Sequence, residues 1–562
     1  MKDHRRRNTL SRNRFFWCII SFLFTSLAIT SFAFSTLQLF RIKESFRPNA
    51  VLPWPAQSME AKLEDDYWSS GLSIRETVLL PDYALIFLNY PPSSRLYTKH
   101  EIDCVYFSAK SPRLYGEPPQ QVDYTERHGQ VVRCPLMPRG FNISISVKSN
   151  GHIPVKPSNL KWDPLVYEAL IDRDNITIVF VKGLNLRPER LAEPSGFECV
   201  YGWDFKRPNM LLKSDAVSIA QEIVRCRTPL SLLIGLNMKK VRESVKVSVR
   251  VRGRGIFPSI ARPAGFRLDL NPKARKKHRM CVCSMLRNQA RFVKEWVIYH
   301  TRIGVQRWFI YDNNSDDDIN DVIESLQGDN YNITRHVWPW IKTQEAGFAH
   351  CALRARDVCK WIGFIDVDEF FNVRIRRGLQ YVIRNHSRLK NVGEIRTPCY
   401  SFGPSGLKKV PRQGVMVGYT CRLTTRERHK SIVRPEALNS TLINVVHHFH
   451  LKQGFVTVDV DSKVMMINHY KYQVWEVFKE KFRMRVATFV ADWKEELNVG
   501  SNDRVPGLGN RAIEPPDWSS RFCEVRDVAL RKWVLNKFAD RQTHLLPWQP
   551  EYEDKRRERG FL

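Results

Sequence analysis

Strand-like and helix-like segments alternate in residues 280–371, and this alternation constrains the fold more than any other feature of the 562-residue sequence. Apolar runs such as "MCVCSML" and "RWFIYD" are typical of buried strands, and the segment "NQARFVKEWVIYHTRIG" between them has helical spacing that ends at Gly304. Such alternation indicates a parallel sheet in an α/β domain, where ligands bind beyond the carboxyl ends of the strands. We therefore predict a Rossmann-like α/β domain.

The run "WIGFIDVDEFF" in residues 361–371 ends an apolar strand in three carboxylates. Burying an unpaired carboxylate is costly. Alternation along a strand places Asp366 and Asp368 on the same face, where their charges repel unless a cation lies between them. A hard divalent ion, Mn²⁺ or Mg²⁺, fits this pair. The alternative is an acidic strand end that only faces solvent.

The N-terminal region contains 26 residues without a charge, "FFWCIISFLFTSLAITSFAFSTLQLF", at positions 15–40. As a helix this run spans roughly 39 Å, enough to cross a bilayer core of about 30 Å. Because six basic residues precede it, the positive-inside rule keeps the N-terminus cytosolic. We predict a cytosolic tail (1–14), a transmembrane signal anchor (15–40) and a lumenal stem (41–71). The alternative is a cleaved signal peptide, but no small-x-small cleavage site follows the run.

The composition limits the partners of the chain. Hydrophobic residues make up 43% of the sequence, which excludes a disordered chain, and the net charge is +31. The basic residues are spread over the whole chain, and no nucleic-acid module accompanies them. We predict no nucleic-acid partner, and we interpret the basic run "KARKKHR" (residues 273–279) as a solvated linker.

Glycosylation triplets and cysteines agree with a lumenal location. The triplets follow the apolar run, at Asn142, Asn175, Asn313, Asn332, Asn385 and Asn439. There are 12 cysteines, some of which should pair in an oxidising compartment. From proximity in the sequence we predict the pairs Cys104–Cys134 and Cys199–Cys226, although spacing alone does not determine pairing.

Residues 72–265 contain short runs rich in Val, Ile, Tyr and Phe, such as "ITIVFVKGLNL" and "VKVSVRVRG", separated by turn residues. This pattern predicts a β-sandwich-like domain. Trp203 could bind carbohydrate there as an exposed aromatic, or it could lie in the core of a purely structural domain.

Five blocks of the sequence resemble glycosyltransferase family 92, which includes plant β-1,4-galactan synthases. The blocks are "MLRNQARFVKEWVIYHTRIGVQRWFIYDNNSDD" (285–317), "CKWIGFIDVDEFF" (359–371), "SFGPSG" (401–406), "HKSIVRP" (429–435) and "INHYKY" (467–472). The β-rich region is similar to the carbohydrate-binding-module-like domain that precedes catalysis in the plant members.

The resemblance implies a GT-A fold in residues 275–500, followed by a C-terminal extension (501–562). It also implies an inverting, metal-dependent transfer of galactose from UDP-galactose. Asp366, Asp368 and His469 match the metal-binding positions. Without the resemblance, His469 would be interpreted as a structural histidine.

Several residues match donor-binding positions. Those expected to hold the nucleotide sugar are Arg287, Asn288, Asp312 and Asn313 for the uridine and ribose, Asp366 for the diphosphate through the metal, and Lys430 and Arg434 for the phosphates on charge grounds. Because Asn313 is also a glycosylation triplet, we predict that it carries no glycan.

The catalytic base is not fixed by the sequence. Asp459, Asp461 and Glu427 are candidates, and their spacing selects none of them.

Two other groups of residues have alternative interpretations. The histidines of "VVHHFH" (445–450) have no cysteine or carboxylate nearby in the sequence, which argues against a structural zinc site. Trp338 and Trp340 could stack on a sugar or pack in the core.

The leading hypothesis is a single-pass type II glycosyltransferase of the Golgi membrane that acts on a glycan acceptor, such as a cell-wall polysaccharide. The alternative is an inactive, membrane-anchored, lectin-like protein. A phosphoesterase would need a second metal held by further carboxylates and histidines, which the motifs do not supply. Golgi enzymes of this topology often form homodimers, but no motif specifies one here.

Overall fold

The structure is a computed structural model of the chain. It describes residues 72–89, 95–108, 111–125, 128–136, 140–149, 151, 153, 159–184, 186, 190–207, 210–235, 244–265, 276–489 and 514–558. These residues belong to one unit, Ser70–Leu562. Within them, no helix is both long enough and apolar enough to cross a bilayer. The predicted tail, anchor and stem (1–14, 15–40 and 41–71) lie outside the described residues.

The first part of the β-rich region forms two small sheets. Its strands are β1 Ser73–Leu79, β2 Tyr83–Asn89, β3 Ile102–Ser108, β4 Ser111–Glu117, β5 Gln121–Thr125, β6 Gly129–Pro135, β7 Asn142–Val147 and β8 Asn159–Lys161. One sheet has the order β5-β6-β2-β1-β8 and the other the order β4-β3-β7. The predicted disulfide Cys104–Cys134 joins β3 to β6, and both cysteines lie in the core between the sheets.

The second part forms a separate nine-stranded sheet, so the region 72–265 contains two groups of sheets rather than one sandwich. Its elements are β9 Leu165–Ile171, β10 Ile176–Lys182, β11 Leu191–Ala192, β12 Phe197–Gly202, β13 Leu212–Ala220, β14 Ile223–Arg227, helix α1 Leu230–Gly235, β15 Lys246–Val251, β16 Gly255–Ile256 and β17 Ala264–Gly265. The predicted disulfide Cys199–Cys226 joins β12 to β14. Trp203 is 64% exposed, so it does not lie in the core.

The predicted α/β domain follows. Its elements are β18 His278–Leu286, α2 Ala290–Ile303, β19 Arg307–Asp312, α3 Ile319–Gly328, β20 Ile333–Val337, α4 Gln344–Ala355, β21 Cys359–Phe364, β22 Glu369–Val373, α5 Gly378–Ser387, β23 Val392–Ser401, α6 Val415–Gly418, β24 Cys421–Arg422, β25 Glu427–Val433, β26 Asn444–Val445, β27 His448–Phe449, β28 Val456–Asp459, β29 Met465–His469 and α7 Trp475–Phe489.

The large sheet of this domain has the order β20-β19-β18-β21-β25-β23-β29-β22, with β28 beside β23. The strands β20, β19, β18 and β21 are parallel, which confirms the predicted Rossmann-like arrangement. The predicted helix in "NQARFVKEWVIYHTRIG" is α2. It ends at Gly304, which adopts a left-handed φ of 115° and closes the last turn through its N–H group.

The C-terminal extension packs on this domain. Its elements are β30 Val525–Arg526, α8 Ala529–Phe538 and α9 Pro550–Glu558. Strand β30 pairs with β24, and the disulfide Cys421–Cys523 closes the same contact. Leu530 and Val534 of α8 pack with Val415 in the main core.

One continuous hydrophobic core joins the β-rich region to the α/β domain. On β2, Ala84 and Ile86 face the core between the two small sheets, whereas Leu85 and Phe87 pack with Trp340 of the α/β domain. Burial on both faces explains why "YALIFL" is apolar throughout rather than alternating. Trp338 and Trp340 are at most 1% exposed in this core, so their predicted alternative as sugar-stacking residues is wrong.

An ion network crosses the same junction. The Arg335 guanidinium donates to Asp312 of the α/β domain (Nε–Oδ2 2.9 Å) and to Asp123 of β5 (Nη2–Oδ1 2.8 Å). Arg133 of β6 also donates to the Asp316 carboxylate. The β-rich region is therefore fixed against the carboxyl ends of β19 and β20.

Candidate active site

The pairing of β22 with β29 places His469 next to the paired aspartates. Glu369 is opposite His469 in this antiparallel pair, and Ser401 of β23 is opposite His469 on the other side. Because Glu369 directly follows Asp368 in the chain, the strand register brings the imidazole to the D-x-D motif. The predicted metal residues Asp366, Asp368 and His469 therefore lie at one end of the sheet.

The D-x-D motif does not end the strand in the manner that we predicted. Strand β21 stops at Phe364, and Asp366 and Asp368 lie in the turn that leads into β22. The Glu369 N–H donates to the Asp366 carbonyl (3.1 Å) and closes this turn. The two carboxylates therefore reach the site from a turn rather than by sharing one strand face, and they have different partners.

Asp368 lies between two basic side chains. Its Oδ2 is 3.4 Å from His469 Nε2 and 2.7 Å from Lys481 Nζ of α7. Burial opposes ionisation of Asp368, but the charges of Lys481 and His469 outweigh it and hold the pKa of Asp368 well below its usual range. Burial also opposes protonation of His469, yet Asp368 raises the pKa of this imidazole well above its usual value.

Asp366 contacts a histidine that we did not predict. Its Oδ2 is 3.4 Å from His447 Nε2, and its side chain is 34% exposed. Burial again opposes ionisation, but His447 and Lys430 hold the pKa of Asp366 below its usual range. No carboxylate lies near the "VVHHFH" histidines in the sequence, but the fold brings Asp366 to His447 although 81 residues separate them in the chain.

Glu369 and Lys430 form a buried ion pair behind the aspartates. Glu369 is fully buried, its Oε1 is 2.7 Å from Lys430 Nζ, and its Oε2 accepts a hydrogen bond from the Asp366 N–H (3.0 Å). Burial lowers the pKa of Lys430, but the charges of Glu369 and Asp366 raise it above its usual value. Lys430 therefore lies beside the D-x-D turn, and its contact with the donor phosphates stays a prediction.

Among the three candidate bases, Glu427 contacts the site directly. Its Oε2 is 3.0 Å from His469 Nδ1, and its Oε1 accepts from Lys471 Nζ (2.7 Å). Burial opposes ionisation of Glu427, but its contacts with His469 and Lys471 hold its pKa well below the usual range. An imidazole with its hydrogen on Nδ1 donates to Glu427 and leaves Nε2 facing Asp368, which is the arrangement of a metal-binding histidine held by a neighbouring carboxylate.

The other two candidates are exposed and lie outside this cluster. Asp459 is opposite Arg396 in the pairing of β28 with β23, whereas His469 is opposite Ser401 at the far end of β23. The Asp461 carboxylate accepts the Lys463 N–H (2.8 Å) in a turn. Neither contact points to proton transfer at the D-x-D motif.

Two residues that we predicted to bind the nucleotide sugar, Asp312 and Asn313, make hydrogen bonds within the protein near the junction with the β-rich region. Asp312 is 1% exposed, and its oxygens accept hydrogen bonds from Arg335 and from the Ser315 N–H (3.0 Å). The Asn313 side chain donates to the carbonyl groups of Trp338 (2.7 Å) and Trp340 (3.0 Å). Because Asp312 is almost fully buried, a ribose hydroxyl cannot reach it in this structure. The two hydrogen bonds of the Asn313 amide agree with the prediction that Asn313 carries no glycan.

Arg287 and Asn288 lie at the end of the neighbouring strand β18. Asn288 has a left-handed φ of 52°, and its Oδ1 accepts the Asp316 N–H (2.7 Å). Arg287 Nη2 is 3.8 Å from Asp316 Oδ2, and its side chain is 38% exposed. Both remain accessible candidates for donor contacts at the carboxyl edge of the sheet.

Arg434 does not belong to the site. Its guanidinium lies over the Trp361 ring (4.9 Å to the centroid) and donates to the Lys390 carbonyl (3.0 Å). Trp361 is near the start of β21, at the opposite end from Asp366. The prediction of Arg434 as a phosphate partner is therefore wrong, because charge alone cannot indicate at which end of a strand a residue lies.

The side chains around the D-x-D motif offer suitable ligands for a divalent metal ion, since carboxylates and imidazoles bind Mn²⁺ or Mg²⁺. Among the described residues, the ligand atoms of Asp366, Glu369 and His447 lie within 4.8 Å of one another, as do those of Glu369, Cys399 and His469. Joint binding of a metal ion by Asp366, Asp368 and His469 stays a prediction. The ammonium group of Lys481 already lies against Asp368, which shows that the cluster accommodates a positive charge at this position.

Sequence comparisons identify the kind of protein that carries this site. The profile of glycosyltransferase family 92 matches residues 276–496. A family 92 protein of Ricinus communis is 59% identical over 98% of this chain and 100% of its own length. Relatives from Oryza sativa subsp. japonica (48% identity, 96% of this chain and 94% of the relative) and Arabidopsis thaliana (42%, 97% and 96%) carry the same family name. The chain is therefore a glycosyltransferase. It belongs to glycosyltransferase family 92, as the resemblance predicted.

Two solved structures show distant similarity to the chain. A Pyrobaculum calidifontis mannosyltransferase in complex with GDP-Man and Mn²⁺ shares 9% identity, over 40% of this chain and 66% of that one, with a TM-score of 0.23. The S. aureus TarS fragment 1–349 in complex with UDP shares 11% identity over 37% and 65%, with a TM-score of 0.22. The assignment of the site rests on the family and on the side-chain geometry.

Proposed function

We propose that this glycosyltransferase transfers galactose from UDP-galactose to a glycan acceptor with inversion at the anomeric carbon, and that it requires Mn²⁺ or Mg²⁺. We further propose that its catalytic domain has the GT-A fold. The observation that carries the proposal is the contact of His469 Nε2 with Asp368 Oδ2 (3.4 Å) next to Asp366, set by the pairing of β22 with β29. UDP-galactose as the donor is supported by the resemblance to plant galactan synthases.

The residues of the site have separate roles in this proposal. Asp366, Asp368 and His469 hold the metal ion. When bound, this ion neutralises negative charge that develops on the diphosphate leaving group. Lys430 lies beside Asp366 and adds positive potential at the same place. Glu427 accepts a hydrogen bond from the Nδ1–H group of His469 and keeps Nε2 directed at Asp368.

In this proposal the ammonium group of Lys481 changes its partner when the donor binds. Its long side chain reaches Asp368 from α7. On donor binding we expect its ammonium group to move from Asp368 to the phosphate oxygens, because the metal ion and the ammonium compete for the same carboxylate.

We also propose that the protein is a single-pass type II protein of the Golgi membrane. The uncharged run at residues 15–40 and the preceding basic residues support this topology. The disulfides of the lumenal part, Cys104–Cys134 and Cys199–Cys226 among them, agree with an oxidising compartment.

The test is donor hydrolysis by the full-length protein in detergent, measured as UDP release from a panel of UDP-sugars with and without Mn²⁺. Manganese-dependent turnover of UDP-galactose above the other donors is the expected result. Preference for a different UDP-sugar would show that the transferred sugar is not galactose. If the protein shows a cooperative thermal transition, and is therefore folded, but releases no UDP from any donor, the proposed transferase activity is contradicted and the lectin-like alternative is favoured.

A further inference from the structure

A cavity of about 330 Å³ lies where the nine-stranded sheet of the β-rich region meets the α/β domain. Lys182 and Glu222 line it from the β-rich region, and Glu345 and Asn444 line it from the α/β domain. Its volume lies at the lower end of the range of about 300–1,000 Å³ that ligand pockets span. The proposed function makes no use of this cavity.

Hydrogen bonds across the junction fix the walls of the cavity. The Gln221 side chain donates to the Asn444 carbonyl (2.6 Å) and accepts from the Asn444 N–H (3.2 Å). The Asn444 side chain donates to the Glu345 carbonyl at the start of α4 (3.0 Å). Lys182 of β10 donates to the Lys342 carbonyl (2.9 Å). These hydrogen bonds therefore hold the two regions together around the cavity.

The chemistry of the walls favours a neutral ligand with many hydroxyl groups. Three carboxylates (Asp163, Glu222 and Glu345) and one ammonium group (Lys182) line the cavity, so it is locally acidic in a chain with a net charge of +31. Carboxylates accept hydrogen bonds from hydroxyl groups but repel phosphates and uronates. Apolar side chains, including Leu184, complete the wall and can contact the C–H faces of a sugar.

Glu222 is held in place for such a contact. Its Oε2 accepts from the Tyr167 hydroxyl (2.9 Å), and its Oε1 pairs with Lys182. The Glu222 side chain nevertheless remains 23% exposed. A carboxylate that is anchored from behind and still accessible loses little conformational freedom when it binds a ligand.

Two elements connect the cavity to the D-x-D motif. The hairpin of β26 and β27 has Asn444 in the cavity wall, and three residues later His447 contacts Asp366 (3.4 Å). Helix α4 has Glu345 in the same wall, and the Phe348 ring lies 5.5 Å from the His447 ring. The same two elements therefore form part of the cavity wall and hold His447 against Asp366.

We propose that this cavity is an acceptor subsite for a neutral saccharide, built jointly by the β-rich region and the α/β domain. That the bound saccharide is the acceptor of the transfer rests on the proposed function, whereas saccharide binding at the cavity can be measured without turnover. Under this proposal the nine-stranded sheet of the β-rich region binds the substrate directly. Acidic polysaccharides are also excluded as ligands of this subsite, despite the basic composition of the chain.

The test measures binding of β-1,4-linked galactotetraose to the full-length protein in detergent by isothermal titration calorimetry, with trigalacturonic acid as the acidic comparison. We expect the wild type to bind the neutral probe at least tenfold more tightly than the acidic one. Glu222→Gln keeps an acceptor for Tyr167 but removes the charge, and we expect it to weaken binding about tenfold. Glu198→Gln is the matched control, because Glu198 pairs with Arg250 (2.8 Å) in the same sheet group but does not line the cavity.

The outcomes separate this inference from the proposed function. Equal binding of the neutral probe by the wild type and Glu222→Gln overturns the subsite, as does equal binding of the two probes. If Glu222→Gln does not fold, Leu184→Trp replaces it, since a bulky ring in the cavity should abolish binding. Saccharide binding that is lost in these variants, by a wild type that releases no UDP from any donor, supports the subsite and contradicts the transferase. UDP release without binding of the neutral probe overturns the subsite alone.

Discussion

The ammonium group of Lys481 lies 2.7 Å from Oδ2 of Asp368. A cation of the chain thus occupies the place next to the D-x-D motif where we expect the metal ion to bind. If the two cations compete, removing the ammonium should favour the metal. Lys481→Met is therefore expected to raise Mn²⁺ affinity about tenfold, which corresponds to about 1.4 kcal/mol, while lowering turnover because a phosphate contact is lost.

Calorimetric titration with Mn²⁺ measures this effect, and Lys479→Met, two residues earlier in the same helix, is the control. Unchanged Mn²⁺ affinity in Lys481→Met would show that the two cations do not compete for Asp368.

Glu427 is expected to orient His469 rather than act as the base. In Glu427→Gln the imidazole loses a charged partner, and changes of this kind lower metal affinity by about 10–100-fold. We predict that turnover of Glu427→Gln is low at ordinary Mn²⁺ concentrations and recovers at high ones. Asp461→Asn, which changes an exposed carboxylate outside the cluster, should behave as the wild type. Turnover that stays lost at saturating Mn²⁺ would instead support Glu427 as the base.

The Asp123–Arg335–Asp312 network should be essential for stability. Arg335→Met leaves two mostly buried carboxylates without their cation, and breaking a buried ion pair in this way typically costs about 3–5 kcal/mol. Urea unfolding should show this loss. The control is Arg252→Met, which breaks an exposed pair with Asp215 and is expected to cost at most about 1 kcal/mol. Similar stabilities of the two variants would contradict a structural role for the network.

Glu295 should make stability depend on pH. It is 4% exposed, and burial raises the pKa of Glu295 to about 7 although it accepts the N–H groups of Val415 and Met416. Because the folded state holds this proton more tightly than the unfolded state, the stabilisation is fully present below pH 4.5 and is lost as the pH rises to 7. The loss is about 1.4 kcal/mol per pH unit in that window.

The measurement is the melting temperature at pH 5, 6, 7 and 8 for the wild type and Glu295→Gln. In Glu295→Gln the melting temperature should fall less between pH 5 and 7 than in the wild type. In Glu324→Gln, on the exposed side of α3, it should fall as in the wild type. Parallel curves for the wild type and Glu295→Gln would refute the assignment.

Local sequence patterns predicted elements of the α/β domain and two disulfides of the β-rich region. Helix α2 and its end at Gly304 followed from apolar spacing and one glycine, and the disulfides Cys104–Cys134 and Cys199–Cys226 followed from proximity. The pair Cys421–Cys523 spans 102 residues and depends on the packing of the C-terminal extension, which no local pattern indicates.

The candidate site was only partly predictable for the same reason. Asp366 and Asp368 are visible as charges in an apolar run, and His469 was found through the resemblance. Lys481 and His447 reach the aspartates by tertiary packing, which neither the segment around Lys481 nor the histidine run "VVHHFH" indicates. Conversely, Asp312 matched a donor position by its place at a strand end, but Arg335 and the β-rich region occupy it.

Direct binding of Mn²⁺ tests the central claim, that Asp366, Asp368 and His469 form a metal site. The measurement is an electron paramagnetic resonance titration of the full-length protein in detergent, in which free Mn²⁺ is counted for the wild type, Asp368→Asn and the control Asp461→Asn. We predict one Mn²⁺ bound by the wild type and the control, and at least tenfold weaker binding by Asp368→Asn. Equal Mn²⁺ binding by wild type and Asp368→Asn, both with cooperative thermal transitions, would contradict the metal site.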